Sequence, residues 1–245
     1  MERVLILALD TSSPSGSLAV LRDEKVIGVV STATGEVYSS KMFRELEFLL
    51  GELSLRMDVF DLFSVAAGPG SFTGLRVGLA AVKGWAEVYA KPIAAVSALE
   101  AVAVQAHLNA ALIVPALDAR RGQLYFGLYR RTGSGRECRL ALDGEEYVMT
   151  PAEFFEALRN RAAGAKFAIV TPQPELFSDS RLHDVVLQNE VANLNARVEP
   201  ASSVLAPFIG QIGFSLAQRG ELADPLTLDA NYVRRTDAEL HWKES

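Results

Sequence analysis

The sequence predicts an α/β protein built from a duplicated unit, and three observations carry that expectation. Apolar, β-branched runs alternate with segments of helical periodicity through the N-terminal part of the chain. The run Leu5-Ile6-Leu7-Ala8-Leu9-Asp10 is echoed 108 positions later by Ile113-Val114-Pro115-Ala116-Leu117-Asp118. Each copy leads into a polar turn, a glycine (Gly16, Gly122) and a new strand ending in arginine, Ser17–Arg22 and Gln123–Arg130. Finally, 245 residues at 49 % hydrophobic content suffice for one large core or two modest ones.

The elements follow in order. Val4–Leu9, Ser17–Leu21 and Lys25–Val30 read as a three-stranded meander, with Asp10–Gly16 and Arg22-Asp23-Glu24 as its turns. A helix capped by Ser39 or Ser40 runs to about Leu55, with Met42, Phe43, Leu46, Leu49, Leu50 and Leu53 at helical spacing. Leu62–Ala67 is a short buried strand, Thr73–Tyr89 a second helix and Pro92–Val96 another strand. Ser97 with Glu100 starts a third helix. In the second half, Thr150-Pro151-x-Glu153 opens a helix to about Ala163, Lys166–Thr171 and Val185–Leu187 read as strands, and a last helix spans 203–219, stopping at Gly220. The expected division is an N-terminal lobe 1–104, onto which helix 203–219 could pack back, a smaller C-terminal lobe 105–202, and a polar tail 220–245.

Composition narrows the chemistry. The 24 Lys+Arg against 30 Asp+Glu leave a net charge of −6, with no basic stripe to draw nucleic acid by charge alone. A single cysteine, Cys138, excludes an intramolecular disulfide, and three histidines (His107, His183, His241) argue against a histidine-rich metal site. The longest uncharged stretch, Pro200–Gln218, is too polar for a membrane helix, so no membrane association and a cytoplasmic location are expected.

The most informative stretch is Gly68-Pro69-Gly70-Ser71-Phe72-Thr73-Gly74-Leu75-Arg76-Val77-Gly78. It lies between a strand and a helix, where phosphate loops sit. However, Leu75-Arg76 replaces the Lys-Ser/Thr of a Walker loop, Thr73 replaces the third glycine of a dinucleotide fingerprint, and Pro69 lacks an amide donor. The favoured reading is a tight strand-to-helix turn capped by Ser71 or Thr73. Gly74, Gly78 and Ala81 then form a small-residue helix face for close packing, usually against the sheet inside the domain and more rarely in a helix–helix contact across subunits.

Together, Ile6–Ser12, Ala67–Gly78, Asp118-Ala119-Arg120-Arg121-Gly122 and the closing Asn231-Tyr232-Val233-Arg234-Arg235-x-x-Ala238-Glu239 resemble the TsaB (YeaZ) family. The matches span most of the chain in the family's order. Two departures, Tyr38-Ser39-Ser40-Lys41 where members often have histidine and Ala230 where a proline is usual, concern local geometry or contacts.

The resemblance implies a two-lobed, duplicated fold of the actin, sugar-kinase and Hsp70 (ribonuclease H-like) type. It also implies a non-catalytic scaffold role in forming N6-threonylcarbamoyladenosine beside the tRNA anticodon. The implied partners are a TsaD-like transferase, a TsaE-like ATPase, tRNA through the complex, and a second copy when isolated. In the family the first two helices form the partner surface. Here that implicates Met42, Leu46, Leu49, Leu50 and Leu53 with Leu75, Leu79, Val82 and Trp85, the stripes being widened by Phe48 and Trp85. The metal-binding histidine pair of the catalytic relative aligns with Ala98 and Val102, so no metal is expected. Asp10-Thr11-Ser12 stands where ATP-using members of the wider fold meet phosphates, as does Asp118 in the second copy. The carboxylates either cap their own turns or retain a vestigial nucleotide loop. No cofactor is expected in isolation, and ADP or ATP only weakly or at the heteromeric interface. Paired arginines (120–121, 130–131, 234–235) are either solvated or contact tRNA phosphate in the complex. The competing functions are a glycoprotease-like metallohydrolase and a small-molecule kinase of the same fold.

Overall fold

The structure, a computed structural model, describes residues 3–32, 38–107, 110–132, 139–162, 166–177, 191, 194 and 196–233. The chain divides into two compact units, one from Met1–Ala101 with Ser203–Tyr232, the other centred on Val102–Ser202. His183, His241, Cys138, Arg234, Arg235 and the expected strand Val185–Leu187 lie outside the described residues, and the first helix already begins at Tyr38, so Ser39 and Ser40 lie within its first turn instead of capping it.

In the first unit, β1 (Leu5–Asp10), β2 (Ser17–Arg22) and β3 (Lys25–Val30) form the antiparallel meander. They are followed by α1 (Tyr38–Leu53), β4 (Leu62–Gly68), α2 (Phe72–Tyr89), β5 (Ile93–Ser97) and α3 (Ala98–Ala103). The sheet order is β3-β2-β1-β4-β5, with β4 parallel to both β1 and β5. β1 is buried throughout because both sheet faces are covered. Strand alternation sends Leu5, Leu7, Leu9, Val20, Phe63 and Val65 into a core with Met42, Leu46 and Leu49 of α1 and Leu79 and Val82 of α2. On the opposite face lies the last helix, Ala206–Arg219. Its Gly210 and Gly213 let it sit against Leu21 and Ser64, and the Ser64 hydroxyl donates to the Ile209 carbonyl at 2.8 Å. That helix ends where expected, at Gly220 with φ +71°.

A polar cluster with buried Lys41 and Glu45 anchors α1. The Lys41 ammonium donates to the carbonyls of Ser15, at 3.1 Å, and Thr32, while the Thr32 hydroxyl donates to Glu45. The helix is thereby tied to the β1–β2 turn and to the end of β3.

The second unit repeats the arrangement. β6 (Leu112–Asp118) is antiparallel to β7 (Leu124–Phe126) and β8 (Tyr129–Thr132), and parallel to β11 (Phe167–Thr171), which pairs with β12 (Ala196–Pro200). β9 (Arg139–Leu142) pairs with β8, and β10 (Tyr147–Met149) with β7. The single strand expected over Gln123–Arg130 is thus two. β7 takes the C-terminal end of β6 and β8 its N-terminal end, with the break at Gly127-Leu128. α4 (Pro151–Ala162) starts as its motif predicts: Thr150 and Glu153 exchange side-chain-to-backbone hydrogen bonds of 2.9 and 3.4 Å. Its Phe154 and Phe155 meet Phe126 and Phe177 in the core, with ring centroids 4.8 to 6.4 Å apart. The two sheets, each with a central strand antiparallel to its successor and parallel to a later one, are the α/β duplication read from the repeat.

Candidate functional site

Asp10 ends β1, and its carboxylate is committed to its own turn. One oxygen accepts from the Ser12 amide at 2.8 Å and the Ser12 hydroxyl at 2.6 Å, and the other accepts from the Ser13 hydroxyl at 2.7 Å. Asp10, Thr11 and Ser12 are all buried. Burial pushes the Asp10 carboxyl up from its ordinary value, and the hydrogen bonds from Ser12 and Ser13 pull the other way.

The sign of the resulting pH dependence follows. With its folded pKa raised, the native chain holds more of the proton than the unfolded chain. The group therefore favours folding below the unfolded pKa, and that contribution is lost as pH rises through the folded value. Asp10→Asn removes this component. Chemical unfolding from pH 4 to 8 should show the variant gaining stability relative to the native chain as pH rises.

The glycine-rich loop fills the space against that turn. A Cβ at Gly74 would stand 1.9 Å from the Thr11 carbonyl oxygen, one at Gly78 2.3 Å from the Thr11 hydroxyl, and one at Gly70 2.6 Å from the Ser12 carbonyl oxygen. The Ser71 amide donates to the Ser12 carbonyl at 2.8 Å, and the Ser71 side chain caps α2 by accepting from the Gly74 amide. Of the two alternatives, the motif is thus a strand-to-helix turn capped by Ser71, with its glycines serving contact inside the unit. The Gly68-Pro69 peptide is cis.

From the other side the loop is held by the segment after the last helix. Ala223 bridges to Ile93, and the Asn231 amide donates to the Ala67 carbonyl at 2.7 Å. Gly68, at φ +121°, has the Asn231 carbonyl where a side chain would start, so only glycine fits. The Tyr232 ring lies 5.1 Å from Phe72, and its hydroxyl accepts from Arg76 at 3.0 Å. The exposed motif residues Phe72 and Arg76 therefore clamp this segment, a role that loop spacing did not reveal.

Burial revises the expected partner surface. Met42, Leu46, Leu49, Leu75, Leu79 and Val82 belong to the unit's own core, and Leu50, Leu53 and Trp85 are half-buried against it. These residues are the inward stripe by which each helix holds the sheet, which helical periodicity cannot distinguish from an outward one. What stays outside is Phe43, 55 % exposed, packed edge-on to Trp85 at 6.5 Å, and Val88, 74 % exposed. Val88 closes the row Val77, Ala81, Gly84, Val88 along α2, at i, i+4, i+7 and i+11. That spacing is the signal that could have found the row. Phe48, 60 % exposed, is five residues from Phe43, hence about 140° around α1 and off this face. Gly51 and Gly84 have no atom within 4 Å of a would-be Cβ, so their own unit does not require glycine there.

Ala98 and Val102 are fully buried and apolar, and no group of three or more His, Cys, Asp or Glu side chains converges among the described residues. The His107 amide donates to Glu199 at 2.8 Å. No helix is long and apolar enough to cross a membrane among the described residues.

In the second unit, the Asp118 carboxylate likewise serves its own turn, accepting from the Arg120 amide at 2.6 Å. Arg120, Arg121 and Gly122 follow with φ of +60°, +54° and +69°. For each arginine the left-handed conformation costs about 1–2 kcal/mol.

Residues 19–182 match the family model described as TsaD: tRNA N6-adenosine threonylcarbamoyltransferase. The TsaB tRNA threonylcarbamoyladenosine biosynthesis protein of Bacillus subtilis is 32 % identical over 247 residues, covering 98 % of each chain. The chain belongs to the TsaB family. The TsaB protein of Haemophilus influenzae is 32 % identical over 130 residues, 51 % of this chain and 54 % of that one. A crystal structure from Pseudomonas aeruginosa, of a protein described as similar to peptidase YeaZ, shares the fold at TM-score 0.70 and 24 % identity, covering 94 % of this chain and 100 % of that one.

Proposed function

We propose that the chain is a cytoplasmic, non-catalytic subunit of the machinery that forms N6-threonylcarbamoyladenosine in tRNA. It holds a TsaD-like transferase on the outer face of α1 and α2. The observation that carries this reading is the outer row of exposed Phe43, Gly84 and Val88, continued by half-buried Val77 and Ala81, in a member of the TsaB family. A glycine in the exposed middle of a helix costs about 0.5–1 kcal/mol relative to alanine. Gly84 supplies nothing to its own unit in return, and it gives a partner helix room to approach. In the absence of the transferase, a second copy of the chain occupies the same face. A TsaE-like ATPase and tRNA are engaged through the complex, in keeping with the chain's net charge of −6.

Nucleotide has no place at the Asp10 turn in this reading. The carboxylate is spent on Ser12 and Ser13, and the backbone of Thr11 and Ser12 is covered by Gly70, Gly74 and Gly78. ADP or ATP is then bound weakly or at the heteromeric interface. Ala98 and Val102 offer no ligand to a metal, which weighs against the metallohydrolase alternative. Reconstituted tRNA modification with and without the chain tests the reading.

A further inference from the structure

The three arginine pairs separate once their surroundings are known. Arg130 is paired with Asp143 at 2.7 Å, and Arg131 donates to the Ala106 carbonyl at 3.2 Å, so that pair serves the second unit's own structure. Arg234 and Arg235 lie outside the described residues. Arg120 and Arg121 are set apart by their backbone, positive φ at both. They occupy the tip of the β6–β7 hairpin, both exposed, and the Arg120 guanidinium has no hydrogen bond or ion pair among the described residues. The hairpin closes through the Ala119 amide on the Gln123 carbonyl at 2.9 Å and the Gln123 amide on the Arg120 carbonyl at 3.1 Å. A turn with positive φ at successive residues is made most cheaply by Asn-Gly. Two arginines there are a poor choice for folding, and strain retained at an exposed position points to a role outside the fold. The adjacent Asp118 carboxylate is turned to the Arg120 amide.

We propose that the Asp118–Gly122 turn is an RNA phosphate contact, with Arg120 and Arg121 presented together to the phosphodiester backbone. The inference rests on the tRNA reading above and assigns one place where RNA is held. Guanidinium fits phosphate oxygens bidentately, and two at successive exposed positions form a local positive site on an acidic chain. An acidic protein segment is the competing occupant.

The test uses the full chain assembled with its TsaD-like partner and an unmodified substrate tRNA. The double variant Arg120→Asn/Arg121→Gly should raise the melting temperature of the chain by roughly 2–4 °C, through relief of strain. It should weaken tRNA binding about tenfold at ~0.15 M salt and flatten the log–log salt slope by about 1–2. Arg120→Lys/Arg121→Lys should keep most of that slope. Unchanged affinity and slope in the Asn-Gly variant would overturn the proposal. So would a loss of affinity explained by weaker assembly with the transferase in the absence of RNA, which would make the turn a protein contact. A lowered melting temperature overturns the strain argument. The variant's RNA affinity decides this inference, whereas the wild-type chain's requirement for modification decides the functional reading, so the two can fail separately.

Discussion

Gly74→Ala is expected to destabilise the protein by about 3 kcal/mol, a large effect for one methyl group. The added carbon would start 1.9 Å from the Thr11 carbonyl oxygen, and both sides of the clash are backbone. Relief requires moving the first turn of α2 away from the end of β1. That would stretch the bond from the Ser71 amide to the Ser12 carbonyl and disturb the clamp of Phe72 and Arg76 on Tyr232. Gly84→Ala is the matched control. It lies in the same helix with open space around it, and should stabilise by up to about 1 kcal/mol through helix propensity alone. Urea unfolding followed by ellipticity separates the two. A Gly74→Ala variant within about 0.5 kcal/mol of the native chain would contradict the packing account of the motif.

The double variant Phe43→Glu/Val88→Glu is expected to weaken association with a TsaD-like transferase by at least about 100-fold. Unpaired carboxylates buried in an apolar contact cost roughly 3–5 kcal/mol. Both side chains are exposed in the free chain, so the melting temperature should stay within about 2 °C. Leu46→Glu would not serve here. Leu46 is buried in the core with Leu49 and Phe63, and a charge there unfolds the unit rather than probing its surface. Sedimentation of the mixed proteins measures the effect. Undiminished complex formation by the double variant would place the partner on another face.

Much of this architecture was legible beforehand, for identifiable physical reasons. β1, β4 and the Lys25–Val30 strand are short apolar runs between strong turn signals, and α4 carries a complete capping box. The repeat around Asp10 and Asp118 located the central strand of each sheet. β9, β10 and β12 were missed because Arg139–Leu142, Tyr147–Met149 and Ala196–Pro200 are short, mixed in polarity and stabilised by pairing with neighbours distant in sequence. The Gly127 break went unseen for a related reason: which half of β6 each strand joins is a property of the sheet.

The site was legible only in its backbone logic. Glycines at 70, 74 and 78 signalled close approach, and the turn at Asp10 supplied the surface approached. Sequence could not tell which apolar stripe of α1 and α2 faces inward, because Met42 and Phe43 look alike until the sheet is in place. Nor could it show that Arg120 and Arg121 occupy left-handed backbone, since neither residue is a usual marker for it.

The central claim is that this chain is required for tRNA threonylcarbamoylation without performing the transfer itself. The direct measurement is formation of N6-threonylcarbamoyladenosine in a mixture of substrate tRNA, the TsaD-like transferase and the remaining partners, with the chain present, absent, or supplied without the transferase. The account predicts modification only when chain and transferase are both present. Undiminished modification without the chain, or transfer by the chain in the absence of the transferase, would contradict it.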